Sequence, residues 1–216
     1  MLDLEKRTPE QKKTAENAVK DETLLSELLD GLHSKKCSVR YKNFKAVYLI
    51  SEDHPETLYE KWGFFEDMLK SNNNTFRFYA IHVLANLVKV DEKGRFEKIL
   101  GNFYGILNED ALVPACHVAY VSGKIVNAKP ELADEITRRL LNIDEATYNH
   151  KELVQANALK AFSEYYDKIS DQDKVLSLAK ALQKNKSARA KKEANEFLKK
   201  WNNKKQNKPK QNLLKE

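Results

Sequence analysis

The chain has 216 residues, 41% hydrophobic and 32% charged, with only 6 Gly and 5 Pro. That is enough apolar material for a substantial core, but too few glycines for a turn-rich sandwich or barrel and too few prolines for a disordered linker protein. The net charge of +6 is unevenly placed: residues 184–216 hold 12 basic and 3 acidic side chains, leaving 26 and 29 for residues 1–183, so the basic character belongs to the C-terminal end.

The first residues, Met1 to Arg7, mix both signs of charge and lead into no apolar stretch, so no secretory signal is expected there. Thr8-Pro9-Glu10-Gln11 reads as a helix start: Thr8 can cap, Pro9 suits the first helical position, and Gln11 stands at the capping-box position. Beyond it, apolar clusters recur at helical spacing between short polar breaks, among them Asp53-His54-Pro55, Ser71 to Asn74, Asp91 to Gly94 and Lys129-Pro130. The pattern predicts outer helices over about 22–33, 57–70, 95–107, 131–142 and 172–184. Inner helices are predicted over about 38–52, 75–90, 111–127, 152–169 and 187–201. Phe76 to Leu84, rich in aromatic and β-branched residues, also suits a strand by propensity. The longest nearly apolar run, Ala111 to Val121, is far shorter than a membrane span.

An internal repeat decides between these options. Phe44, Ile81, Val118, Leu159 and Ala194 form one column along the inner helices. Three residues on stand Val47, Leu84, Val121, Phe162 and Phe197, and four beyond those Ser51, Val88, Ile125, Tyr166 and Trp201. Offsets of 0, +3 and +7 share one face of a helix, so each column is a predicted buried stripe. Helix pairs that cannot bury both apolar faces alone do so by stacking. The expected fold is therefore all-α, a right-handed α-solenoid of about five antiparallel helix pairs. Residues 1–20 would form an N-terminal capping helix, 21–201 the repeat domain, and 202–216 a disordered basic tail. The end units are expected to be polar, with Ser51 in a core column and Lys191 where Phe78 and Ala115 stand in earlier units.

Tandem helix pairs with Val39-Arg40 and Phe76-Arg77 opening inner helices resemble HEAT repeats and their armadillo-like relatives, over about residues 22–201. Later units depart from that pattern: Val113-Pro114 and Val154-Gln155 lack the arginine, and Arg189 is one place out of register. One set of alkylpurine DNA glycosylases is built on HEAT-like repeats. That resemblance implies aromatic residues and a catalytic Asp in the concave cleft, but here Trp62 falls on an outer helix and Trp201 in a core column.

Catalytic and metal motifs are missing from the sequence. There is no HExxH, CxxC pair or Gly-rich phosphate loop, and Cys116 and His117 are adjacent on a helix and diverge by about 100°. His33, His54, His82, His117 and His150 show no ligand spacing. Both cysteines, Cys37 and Cys116, read as small core residues, and a cytoplasmic location is the default. No catalytic residue, metal, cofactor, small-molecule substrate or membrane is expected.

With the core stripe assigned, offsets −2, +1 and +5 should line the concave face. Its candidate binding residues are Lys42, Lys45, Tyr79, His82, Asn86, Asn157, Lys160, Lys192 and Lys199. In the third unit the same columns hold Cys116, Ala119 and Gly123, which form either a shallow notch or a helix packed on all sides. The expected function is a non-enzymatic interaction scaffold binding a protein or peptide along this face. The alternative is a nucleic-acid-binding module in which Lys42, Lys45, Lys160, Lys192 and Lys199 meet phosphates and the tail adds attraction.

Overall fold

The computed structural model describes residue 4, residues 7–143 and 146–201, and the backbone of 202–206. Among these residues there are twelve α-helices and no strand. They are α1 (Pro9–Lys20), α2 (Glu22–Gly31), α3 (Cys37–Asp53), α4 (Pro55–Tyr59), α5 (Trp62–Leu69) and α6 (Asn74–Leu87), followed by α7 (Arg95–Gly105), α8 (Leu112–Ala128), α9 (Ala133–Leu141), α10 (Lys151–Tyr165), α11 (Gln172–Gln183) and α12 (Ala188–Gln206).

Local chemistry sets the boundaries. Thr8 Oγ1 accepts from Gln11 N while Gln11 Oε1 accepts from Thr8 N, closing the capping box on α1. Asp21 caps α2 and Asn73 caps α6, so the strand-like stretch Phe76 to Leu84 begins from a made helix start and folds as helix. The single outer helix predicted over 57–70 is instead two, α4 and α5. The Tyr59 carbonyl at the break accepts from Arg95 Nη1 at 2.8 Å instead of continuing the helical ladder. Asp91 holds the next corner. It accepts from the Tyr59 hydroxyl at 2.6 Å and from the Arg95 and Phe96 amides at the start of α7, with Lys129 Nζ at 3.3 Å. Gly94, at φ +62°, supplies the left-handed residue this turn requires.

The helices fall into two ranks. In one, α3, α6, α8, α10 and α12 each pack on the next, and α1 extends the row against α3. The others, α2, α5, α9 and α11, pack against members of that rank, and α7 joins it through the Tyr104 hydroxyl on Ser122 of α8. Every position of the three repeat columns is buried, from Phe44 to Ala194, from Val47 to Phe197 and from Ser51 to Trp201. The buried apolar residues form one continuous cluster from Ala15 to Trp201. Helix α6 is buried without interruption from Arg77 to Leu87. At the ends, Ser51 satisfies its hydroxyl on the Tyr48 carbonyl, and Lys191 is exposed where Phe78 and Ala115 are buried in earlier units.

Two expectations change. Cys37 is exposed at the first position of α3 and Cys116 is half-buried, so neither is a core residue. Helix α12 runs on to Gln206, past the predicted end at Trp201; the rest of the expected tail, 207–216, lies outside the described residues. No described helix is long and apolar enough to cross a membrane.

Truncating the seam should be expensive. Ile81→Ala and Phe162→Ala are each expected to lower unfolding free energy by about 2–5 kcal/mol in urea melts. Asp91→Ala, which strands the Tyr59 hydroxyl and the α7 amides and leaves Lys129 with Glu97 alone, should cost about 3 kcal/mol.

Candidate binding face on the inner helices

Where neighbouring helices of the inner rank meet, their side chains build a polar and aromatic seam outside the apolar columns. Tyr79 lies flat on Phe44, with ring centroids 4.1 Å apart and planes 16° apart. His82 Nε2 faces His117 Nδ1 at 3.0 Å, inside a cage of Phe78, Tyr48 and Tyr120. Asn86 donates to Ser51 Oγ at 2.8 Å, and its Oδ1 accepts from Lys124 Nζ at 2.5 Å. Asn157 donates to the Cys116 carbonyl at 3.1 Å and accepts from Arg189 at 2.8 Å.

Four candidates from the sequence are thus corrected. Tyr79, His82, Asn86 and Asn157 are no more than 4% exposed, and they hold helix to helix instead of facing outward. The five lysines remain accessible. Lys42 pairs with Glu10 at 2.8 Å, Lys45 sits over the Tyr41 ring at 5.8 Å, and Lys160 over Tyr120 at 5.0 Å. Lys192 and Lys199 are exposed on α12. The notch at Cys116, Ala119 and Gly123 is filled, because α10 packs there so closely that a Cβ on Gly123 would run into the Glu164 carboxylate.

The sequence columns missed a contact on this face that spans two helices. Lys124 of α8 reaches past Asn86 of α6 to Glu52 of α3, at 3.0 Å and 72 residues away. Glu52 also accepts from the Tyr48 hydroxyl at 2.7 Å and from Arg7 at 2.8 Å, and Arg7 in turn holds Asp53 at 3.1 Å. On α8 His117, Tyr120 and Lys124 are half-exposed, turned about 100° round the helix from the predicted columns, of which only Cys116 stays half-exposed while Ala119 and Gly123 are buried. A 0, +3, +7 stripe identifies the core side, but it does not say where the flanking helices will press.

Electrostatics follow from this packing. Burial pushes the Glu52 carboxyl up, but Lys124, the Tyr48 hydroxyl and Arg7 outweigh it and hold the group below its ordinary value. Burial, with His117 and Lys124 nearby, holds His82 well below the usual histidine range, and burial carries His117 down to about 4. Burial also pushes the Cys116 thiol up, the opposite of an activated nucleophile. The two arginines near the starts of α3 and α6 are bonded internally: Arg40 donates to the Ser34 carbonyl at 2.7 Å, and Arg77 pairs with Glu109. Among the described residues, no group of three or more His, Cys, Asp or Glu side chains is placed to hold a metal ion. No protein-family model matches the chain, and no curated protein matches it.

The histidine pair sets a pH dependence. Well above pH 6.5 both imidazoles are neutral in folded and unfolded chains, and they contribute no slope. As pH falls from 6.5 toward 4 the unfolded chain takes up protons that the folded chain refuses, so stability drops across that window. Between pH 7 and pH 5 the loss from His117 alone should be on the order of 2 kcal/mol, with buried His82 adding to it in the same direction. Urea melts at the two pH values measure it. His82→Gln/His117→Gln should flatten the difference.

Proposed function

We propose that this protein is a non-enzymatic interaction scaffold: a right-handed, HEAT-like solenoid of five antiparallel helix pairs that docks a protein or peptide along its concave inner face. The observation that carries this reading is a segregation of charge. Counted to Trp201, the inner helices α3, α6, α8, α10 and α12 hold twelve basic and six acidic side chains. The outer helices α2, α4, α5, α7, α9 and α11 hold six basic and ten acidic ones. Arg40, Arg77, Lys124 and Arg189 are held by internal bonds, and the remaining excess of inner cations supports a surface that meets a partner.

Curvature is supported by the bond from Lys124 to Glu52, because helices two places apart touch directly only where the rank between them bends inward. Stacked units present such a face as one long surface with distributed contacts. The absence of catalysis is supported by the state of the reactive groups: the histidine pair is drained of basicity, and the one half-buried thiol is pushed away from the thiolate. The two cysteines are unpaired, as suits a reducing cytoplasm.

A photo-crosslinking amino acid placed at Lys45 or Lys160 on the inner face, or at Lys98 or Lys180 on the outer, tests the reading in cells of the native organism. Discrete protein adducts should form from the inner positions only. Adducts from the outer positions alone, or nucleic acid in place of protein, would refute it.

A further inference from the structure

The end of the stack is built unlike its interior. Inside the stack, the repeat positions of Tyr79, His82 and Asn86 face the helix that follows. His82 and Asn86 of α6 meet His117 and Lys124 of α8, Gly123 of α8 lies against Glu164 of α10, and Asn157 of α10 accepts from Arg189 of α12. On α12 those positions hold Lys192, Asn195 and Lys199, all exposed, and no described helix follows. Lys191 adjoins them, exposed where Phe78 and Ala115 are buried in earlier units. Gln183 Nε2 of α11 donates to Asn195 Oδ1 at 2.8 Å. That bond sets Lys180, one helical turn before Gln183, and Lys184, next to it, beside the lysines of α12; both are exposed.

This end face has one dominant sign. Among the described residues, the ion pairs on α11 and α12 are Lys174 with Asp171 at 2.7 Å and Lys192 with Glu196 at 3.9 Å, which leaves Lys180, Lys184, Lys191 and Lys199 outside any of them. The nearest acid on the same side of α11, Asp173, is about 10 Å along the helix from Lys180. Solubility alone does not require such a surface. At the opposite end of the stack, α1 exposes Glu10 and Glu16 among Lys12, Lys13 and Lys20.

We infer that this end face docks a nucleic-acid duplex by its phosphates, on a surface separate from the inner face. Lys191 and Lys199 lie about 12 Å apart along α12. Over that length a duplex presents about seven phosphate charges, whereas an extended peptide presents about four side chains at most. Asn195 adds a neutral donor between the ammonium groups, a common partner for phosphate and sugar oxygens. The exposed residues of this face include no aromatic ring on which the bases of a single strand could stack, and no large apolar side chain that could enter a membrane. Lysines act on phosphates as point charges and lie on a face with no element that could enter a groove, so the docking does not read sequence.

The test uses the full chain and fluorescein-labelled duplexes of about 20 base pairs, two helical turns, in two unrelated sequences. Fluorescence anisotropy over a range of salt should show saturable binding, equal for the two sequences. Lys191→Ala and Lys199→Ala should each lower affinity about tenfold at 0.1 M salt and reduce the slope of log K against log salt by about 1, with unaltered melting temperatures. Lys98→Ala, on the outer α7, should change neither quantity. Binding that ignores both end-face variants would overturn the assignment, as would equal losses from all three. So would stronger losses from Lys45→Ala or Lys160→Ala on the inner face. Tighter binding of oligothymidylate, a glutamate-rich peptide or phosphatidylserine vesicles than of the duplex would also overturn it, because each would assign the lysines to a different partner.

Discussion

The apolar seam shared by α3, α6, α8, α10 and α12 is the constraint on which everything else depends. Each of these helices buries one stripe of the repeat, and no pair can bury its stripe without the next. Ile81 and Val118 are fully buried because helices flank them on both sides. The same arrangement explains why α6 is buried all round and why the polar residues it carries must be satisfied within the protein. Asn86, His82 and Tyr79 are held by Ser51, His117 and Phe44 on its neighbours. A buried amide or imidazole without such a partner would cost several kcal/mol.

On top of that seam sits a second, polar layer. Lys124, Glu52, Tyr48, Arg7 and Asn86 link the start of the chain to α3, α6 and α8 in one network. The Glu52 carboxylate is spent within this network, while Lys42, Lys160, Lys192 and Lys199 stay exposed. The apolar seam sets which helices are neighbours, and the polar one ties charged and amide side chains of those helices to one another.

Much of the fold was legible in the residues. Apolar positions at 0, +3 and +7 gave the core columns, and capping residues such as Thr8 gave the start of α1, because both depend on geometry within one helix. The break between α4 and α5 was not legible, since it turns on Arg95 taking the Tyr59 carbonyl from a later hairpin. The exposure of the candidate face was legible only in part. Lys42, Lys45, Lys160, Lys192 and Lys199 are accessible as expected, because a lysine left off the core stripe stays in water wherever its neighbours sit. Tyr79, His82, Asn86 and Asn157 were misplaced, because their exposure depends on how tightly adjacent helices close over them. Lys124 and Glu52 escaped notice for the same reason: no local spacing links residues on helices two places apart.

Native-state hydrogen exchange tests the shared seam most directly. If stacked helices form one cooperative core, amides of α6 and α8 should exchange only through global unfolding, with the free energy measured in the urea melt, while those of α1 and α12 exchange through smaller openings. Exchange of α6 at a far lower free energy than the melt, or each helix pair opening independently with its own value, would mean that the helices do not depend on one another as the seam requires.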